Sequence, residues 1–158
     1  MQAIHLTVAA VIEKHNRFLL VEELVSGRKL INQPAGHVET GESLHMAVIR
    51  EMLEETAWQF RPSAIVGVYL WTQPESGERF LRVAYTGQID NHDVSRKLDD
   101  GILRTLWLSR TELINRDEQL RSPMVLRVVD DYVDGTRFPV HMFQQIEIDE
   151  LANHAQVV

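Results

Sequence analysis

Three glutamates within five residues are the clearest candidates for chemistry in this 158-residue chain. Glu51, Glu54 and Glu55 share an arc of about 100° if the segment is a helix that advances about 100° per residue. Like charges at i,i+4 repel by about 0.2–0.5 kcal/mol per pair in an isolated helix. A hard divalent cation such as Mg²⁺ takes oxygen ligands and would relieve this repulsion. The spacing therefore indicates a metal site. The commoner alternative for a charged run on a helix is a solvated acidic face.

The elements around these glutamates must position them. Residues 43–57 contain no Gly or Pro and are rich in Leu, Met, Ala and Glu, which predicts a helix. The preceding loop, residues 36–41, begins and ends with glycine, so its backbone could closely approach a phosphate chain. A separate apolar arc of the helix is expected to pack on the core and consists of Met46, Ile49, Leu53 and Ala57.

The remaining patterns predict a mixed sheet flanked by helices. Apolar, β-branched runs separated by polar turns are typical of strands and hairpins. The order of elements is β-β-α-β-β-β-α, and residues 30–38 are expected to be irregular. The predicted hairpins are 4–13 with 18–21 and 63–72 with 80–89, followed by a loop at 90–101, a strand at 102–108 and helices at 110–115 and 123–133.

Composition and charge exclude several classes of protein. Asp and Glu outnumber Lys and Arg by 23 to 16, a formal charge of −7, which argues against binding nucleic acid or an anionic membrane. The absence of cysteine excludes disulfides, thiol nucleophiles and cysteine-ligated zinc. No segment is typical of a signal peptide or a membrane span, so a cytoplasmic location is expected.

The segment 36–58 follows the pattern Gly-x5-Glu-x7-Arg-Glu-U-x-Glu-Glu-x-Gly-U, where U is aliphatic or aromatic. It resembles the signature of the Nudix hydrolase family, and shorter stretches at 7–12, 18–23, 32–37 and 120–123 resemble its NudJ subgroup of bacterial phosphatases. Ala57 replaces the glycine of the pattern, so the turn is expected to run further or to close with right-handed dihedrals. The matching positions are Gly36, Glu42, Arg50, Glu51, Met52, Glu54, Glu55 and Trp58.

This resemblance implies a fold and a reaction. The fold would be α+β, with a mixed β-sheet sandwiched between α-helices in a single domain spanning residues 1–158. The reaction would be attack of water on phosphorus in nucleoside tri- and diphosphates or in thiamine-pathway pyrophosphates, namely hydroxymethylpyrimidine pyrophosphate and thiamine pyrophosphate. Alternatives are hydrolysis of ADP-ribose or dinucleoside polyphosphates, or a Nudix-fold binding module without catalysis. Intact carboxylates weigh against the binding module.

The resemblance also implies roles for individual residues. The Gly36 carbonyl, Glu51, Glu54 and Glu55 would bind Mg²⁺, with Mn²⁺ as a substitute. Glu54 is the candidate base, Arg50 and Glu42 would orient the carboxylates, and a further carboxylate is expected from Asp100 or its neighbour Asp99. The candidate substrate contacts are His37, Gln33, Arg28, Arg82, Trp71 and Phe80. The expected partner is a small phosphoanhydride, with no nucleic acid or membrane, and the chain is expected to be a monomer or weak homodimer.

Overall fold

A computed structural model describes residues 3–146 of the chain. Two short 3₁₀ helices, Asp117–Gln119 and Val140–Met142, accompany the main elements. The helices are α1 (Leu44–Thr56), α2 (Arg110–Ile114) and α3 (Met124–Val133). The strands are β1 (Ile4–Val11), β2 (Glu13–Lys14), β3 (Arg17–Val25), β4 (Arg28–Asn32), β5 (Ala35–His37), β6 (Gln59–Thr72), β7 (Arg79–Asp90) and β8 (Ile102–Leu108).

These strands form two sheets rather than one. The first sheet has the order β5-β1-β7-β6, and its β1–β7 pair is parallel while the other pairs are antiparallel. In the second sheet β3 is flanked by β4 and β8 and also pairs with β2. The predicted β6–β7 hairpin is present. The predicted hairpin of 4–13 with 18–21 forms only at its turn, where Glu13 of β2 pairs with Phe18 of β3, because β1 and β3 lie in different sheets. The predicted α+β class with mixed sheet and helices is confirmed.

Helices cover both faces of the first sheet. Helix α1 packs on one face through a cluster that includes Val8, Val48 and Met52, and α3 reaches the other face through Val128. Helices α2 and α3 also cover the second sheet, where Leu113 of α2 belongs to the same apolar cluster as Phe18 of β3. Residues 30–38, expected to be irregular, contain the end of β4 and all of β5. Strand β5 therefore brings Gly36 beside β1 and α1.

Helix α1 agrees with its predicted bounds, but its buried face differs from the expected one. The Ser43 hydroxyl caps the first turn by accepting a hydrogen bond from the Met46 amide. Met46 itself is 56% exposed, and the residues of α1 that are buried are Leu44, Ala47, Val48, Glu51, Met52, Glu55 and Thr56. The carboxylates and the apolar residues that pack on the core therefore share one side of α1. As a result, Glu51 and Glu55 are buried rather than exposed to solvent.

The end of α1 also corrects an expectation. Ala57 adopts the left-handed conformation (φ 60°, ψ 15°) that the glycine of the pattern would take, and its amide donates to the Leu53 carbonyl. The loop after β7 then folds against this end, since the amides of Asp93 and Asp99 donate to the carbonyls of Ala57 and Glu54. The loop therefore brings Asp99 to the carboxylate side of α1. Within residues 3–146, no helix has both the length and the apolar character that crossing a membrane requires.

Candidate active site

The carboxylates of α1 meet the backbone of β5. Gly36 pairs with Val8 across the sheet, which fixes its position beside the helix. A Cβ atom at Gly36 would overlap the Glu51 carboxylate, so only glycine allows this approach. One residue earlier, the Ala35 amide donates a 2.9 Å hydrogen bond to Glu55 Oε2. Strand β5 thus presents its backbone to two of the three glutamates.

Arg50 lies among the carboxylates and holds them together. Its Nε and Nη2 atoms donate to the two oxygens of Glu42 at 2.8 and 2.9 Å. Its Nη1 atom donates to Glu51 at 2.8 Å and to Glu54 at 3.0 Å, and Nη2 also donates to the His37 carbonyl. The fork of the guanidinium allows these bonds to form together, which an ammonium group could not do. Arg50 and Glu42 are therefore placed to orient the carboxylates.

Burial shifts the pKa values of two of the three glutamates. Burial raises the pKa of Glu55 to about 9, against the lowering effect of its bond from Ala35. Burial also raises the pKa of Glu51, although Arg50 opposes this. Removing a carboxylate from water is unfavourable unless a counter-charge compensates. A cation in this position would provide that compensation.

The two candidate aspartates of the loop after β7 differ in position. The Asp99 amide donates to the Glu54 carbonyl at 3.0 Å, which places Asp99 beside the carboxylates, and its charge contributes to the raised pKa values of Glu51 and Glu55. The Asp100 side chain is 94% exposed and forms an ion pair with Lys97 at 3.0 Å. Of the pair, Asp99 is therefore the one that the structure brings to the site.

The glutamates of α1 and the Gly36 carbonyl fit a hard divalent cation, although Arg50 bonds to both Glu51 and Glu54 in this structure. Within residues 3–146, the acidic and histidine side chains are not arranged as a complete metal-binding group. The donor set is nonetheless composed of carboxylate and carbonyl oxygens, which Mg²⁺ prefers. A Cβ at position 36 would overlap the Glu51 carboxylate, so glycine here lets the backbone of β5 lie directly beside that carboxylate. The predicted ligands remain Gly36, Glu51, Glu54 and Glu55.

A cleft of about 1110 Å³ opens beside the carboxylates. Ala35, Gly36 and His37 form its wall on the metal side. Trp71 and Phe80, with ring centroids 5.9 Å apart, form an aromatic wall. This volume is sufficient for a small ligand the size of a nucleotide, since ligand pockets usually measure about 300–1,000 Å³.

Five of the six predicted substrate contacts line this cleft, and the sixth lies behind it. The five are His37, Arg28, Arg82, Trp71 and Phe80. Gln33 is fully buried and is not part of the cleft surface, because it hydrogen-bonds to Arg82 and to the Val125 carbonyl. His37 also contacts the His5 ring at 3.3 Å, and burial lowers the pKa of His37.

Several polar residues of the cleft were not expected from the sequence. Thr7, Glu23, Asn32 and Ser122 all line it, and Thr7, Asn32 and Ser122 are buried. The one available signal was the polar pair Asn32–Gln33, which directly follows the apolar pair Leu30–Ile31 of β4. Glu23 and Ser122 are far from each other in sequence, and no local pattern could have joined them.

The comparison with known proteins agrees with this geometry. Residues 3–128 match the NUDIX domain family. The chain is 35% identical over 138 residues to phosphatase NudJ of Escherichia coli (strain K12), which covers 87% of this chain and 89% of that protein. A solved NUDIX hydrolase from Nitrosomonas europaea is 42% identical, with a TM-score of 0.88, covering 91% of this chain and 98% of that one.

A more distant structure shows the same fold. The MutT protein from Methanosarcina mazei Go1 has a TM-score of 0.69 at 23% identity and covers 85% of this chain and 96% of that one. The family match covers most of the chain and includes the Gly36 loop and all three glutamates of α1. The chain therefore belongs to the Nudix family, and it is a pyrophosphohydrolase that acts on phosphoanhydrides.

Proposed function

We propose that the protein is a Mg²⁺-dependent hydrolase of nucleoside tri- and diphosphates and of thiamine-pathway pyrophosphates, namely hydroxymethylpyrimidine pyrophosphate and thiamine pyrophosphate. The observation that carries this proposal is the contact between Gly36 and Glu51 at the edge of the cleft. It supports a cation at the point where a pyrophosphate would enter. The likeness to proteins named phosphatase NudJ supports the phosphatase part of this proposal.

The proposed metal ligands are the Gly36 carbonyl, Glu51, Glu54 and Glu55, with Mn²⁺ as a substitute ion. A bound divalent cation supplies neutralisation of phosphate oxygens and a lowered pKa for water. Glu54 is the proposed base, because its side chain is 29% exposed whereas Glu51 and Glu55 are buried. Arg50 holds Glu51 and Glu54 in fixed positions, and Asp99 adds negative charge beside them.

Substrate recognition is proposed to divide between two walls of the cleft. Trp71 and Phe80 offer ring faces on which a pyrimidine or purine can stack, which contributes about 0.5–1.5 kcal/mol beyond area burial for aromatic pairs. His37 and Arg28 line the cleft where phosphate oxygens could be bound. A single domain over residues 1–158, a cytoplasmic location and a monomeric or weakly dimeric state remain predictions.

A substrate panel tests this proposal. Phosphate and pyrophosphate release would be measured with Mg²⁺ on nucleoside di- and triphosphates, hydroxymethylpyrimidine pyrophosphate, thiamine pyrophosphate, ADP-ribose and a dinucleoside polyphosphate. We expect the highest kcat/KM on a member of the first three classes. Preference for ADP-ribose or the dinucleoside polyphosphate by tenfold or more would contradict the proposed substrates, and no turnover on any compound would favour a binding module.

Replacing Arg50 with lysine tests the orientation of the carboxylates. Lysine keeps the positive charge but cannot bond to Glu42, Glu51 and Glu54 together. Because small misplacements of catalytic groups cost about a hundredfold in rate, we expect kcat/KM to fall about 10- to 100-fold. The matched control is Arg61→Lys, since Arg61 forms an exposed ion pair with Asp90 outside the cleft. Equal activity of Arg50→Lys and Arg61→Lys would refute the orienting role.

A further inference from the structure

Arg82 carries a buried positive charge at the floor of the cleft. It lies in the middle of β7, is only 5% exposed and lines the cleft. Its Nη1 atom donates to Asn32 Oδ1 at 3.2 Å and to Gln33 Oε1 at 3.3 Å. Its Nε atom is buried and has no hydrogen-bond partner within the described part of the chain. The guanidinium is therefore anchored on one side only.

The partners of Arg82 are neutral. Across residues 3–146, no carboxylate lies within 4 Å of its nitrogens, and Glu23 and Glu55 act on it only from a greater distance. Buried charges are usually paired, because an unpaired charge in the interior is costly. A glutamate or aspartate at position 33 or 32 would satisfy the guanidinium, but the chain has amides at both positions.

The amides are themselves held in one orientation. Gln33 Nε2 donates to the Val125 carbonyl at 2.7 Å, which leaves Gln33 Oε1 for Arg82. Asn32 Nδ2 faces Glu23 Oε1 at 3.5 Å, which leaves Asn32 Oδ1 for Arg82. Each amide therefore supports the guanidinium without cancelling its charge.

Strand pairing places Arg82 in the same row across the sheet as His37, which forms the cleft wall next to Gly36. Thr7 of β1 pairs with His37 of β5 on one side and with Arg82 of β7 on the other. Residues paired across neighbouring strands share a face and are about 4.8 Å apart per strand, so Arg82 lies on the order of 10 Å from His37 along the sheet. A ligand that extends along the cleft from Gly36 and His37 across Thr7 would reach Arg82.

We propose that Arg82 binds a phosphoryl group of the substrate at the cleft floor, and that Gln33 and Asn32 are positioning residues that keep its guanidinium available for that anion. The substrate class rests on the proposed function, whereas the anion site rests on the unpaired guanidinium. The alternative is that Arg82 serves only as a distant counter-charge to Glu23 and Glu55. That alternative gives the two amides no part in binding an anion.

Substitutions that supply an internal carboxylate distinguish these possibilities. Gln33→Glu and Asn32→Asp each place a negative charge beside Arg82 Nη1, where it competes with the substrate. We expect KM to rise at least tenfold in each variant, with kcat within about threefold of wild type. The matched control is Gln88→Glu, which adds the same charge at an exposed position of β7 outside the cleft and is expected to change KM by less than threefold.

Binding of inorganic pyrophosphate separates this proposal from the question of turnover. Calorimetry with Mg²⁺ present should give a Kd at least tenfold weaker for Gln33→Glu and Asn32→Asp than for wild type and the control Gln88→Glu. If wild type hydrolyses nothing in the panel but this pattern is seen, the proposed function fails and the anion site stands. A wild-type Kd and KM in Gln33→Glu or Asn32→Asp, shown by its thermal melt to be folded, would overturn the anion site.

Discussion

Replacing Glu54 with glutamine is expected to lower kcat by about a thousandfold, within the 10²- to 10⁴-fold range usual for a general base. Glutamine keeps the shape of the side chain but cannot accept a proton. Arg50 would retain its bonds to Glu42 and Glu51, so the rest of the site should keep its arrangement. The measurement is kcat at saturating Mg²⁺ with the best substrate of the panel.

The matched control for this variant is Glu39→Gln. Glu39 belongs to the same acidic segment, but its side chain is 69% exposed and only reaches Arg50 at 4.0 Å. We expect Glu39→Gln to keep kcat within about twofold of wild type. If Glu54→Gln retains more than a tenth of the wild-type kcat, Glu54 is not the base and another carboxylate, with Asp99 the next candidate, must take that role.

Replacing Gly36 with alanine is expected to lower kcat/KM by at least about a hundredfold. The added Cβ would overlap the Glu51 carboxylate, so either that side chain or β5 must move. Pairing of Gly36 with Val8 restrains β5, which leaves displacement of Glu51 as the easier response. Displacing one ligand and its carbonyl neighbour by even about 1 Å costs roughly this much in rate.

Gly87→Ala provides a steric control outside the site. A Cβ at Gly87 would overlap the backbone of Arg61 in β6, so this variant is expected to lower the melting temperature. Its folded fraction should keep a kcat/KM close to that of wild type, because neither strand segment contacts the carboxylates. Similar losses of kcat/KM in Gly36→Ala and Gly87→Ala at a temperature where both are folded would contradict the specific role of Gly36.

Local pattern predicted α1 to within one residue, because its composition and its capping serine act over short distances. The face that α1 buries was wrongly predicted, since Met46, Ile49 and Leu53 are apolar and Glu51 and Glu55 are charged. Burying carboxylates is unfavourable for a helix on its own, and here Arg50 compensates Glu51 while the Ala35 amide bonds to Glu55. The buried stripe is still mainly apolar, through Leu44, Ala47, Val48 and Met52, so α1 is amphipathic with a different core-facing side from the one predicted.

Other differences arise because the deciding contacts are distant in sequence. The main partner of β1 is β7, about seventy residues later, and no local signal distinguishes it from the adjacent β3. Asp99 and Asp100 are equivalent in sequence, and only the hydrogen bond from the Asp99 amide to Glu54 decides which faces the site. Gln33 was predicted to touch substrate, but its position behind Arg82 depends on the carbonyl of Val125 in α3.

We propose that residues 36–55 bind a divalent cation that the hydrolysis of a phosphoanhydride requires. The most direct test is product release by enzyme that has been stripped with EDTA and then titrated with Mg²⁺, with the best substrate of the panel. We predict no release above background without the cation, and saturable recovery of wild-type activity but not of Glu54→Gln activity as Mg²⁺ is added. Hydrolysis that continues at the full rate in EDTA would contradict the claim.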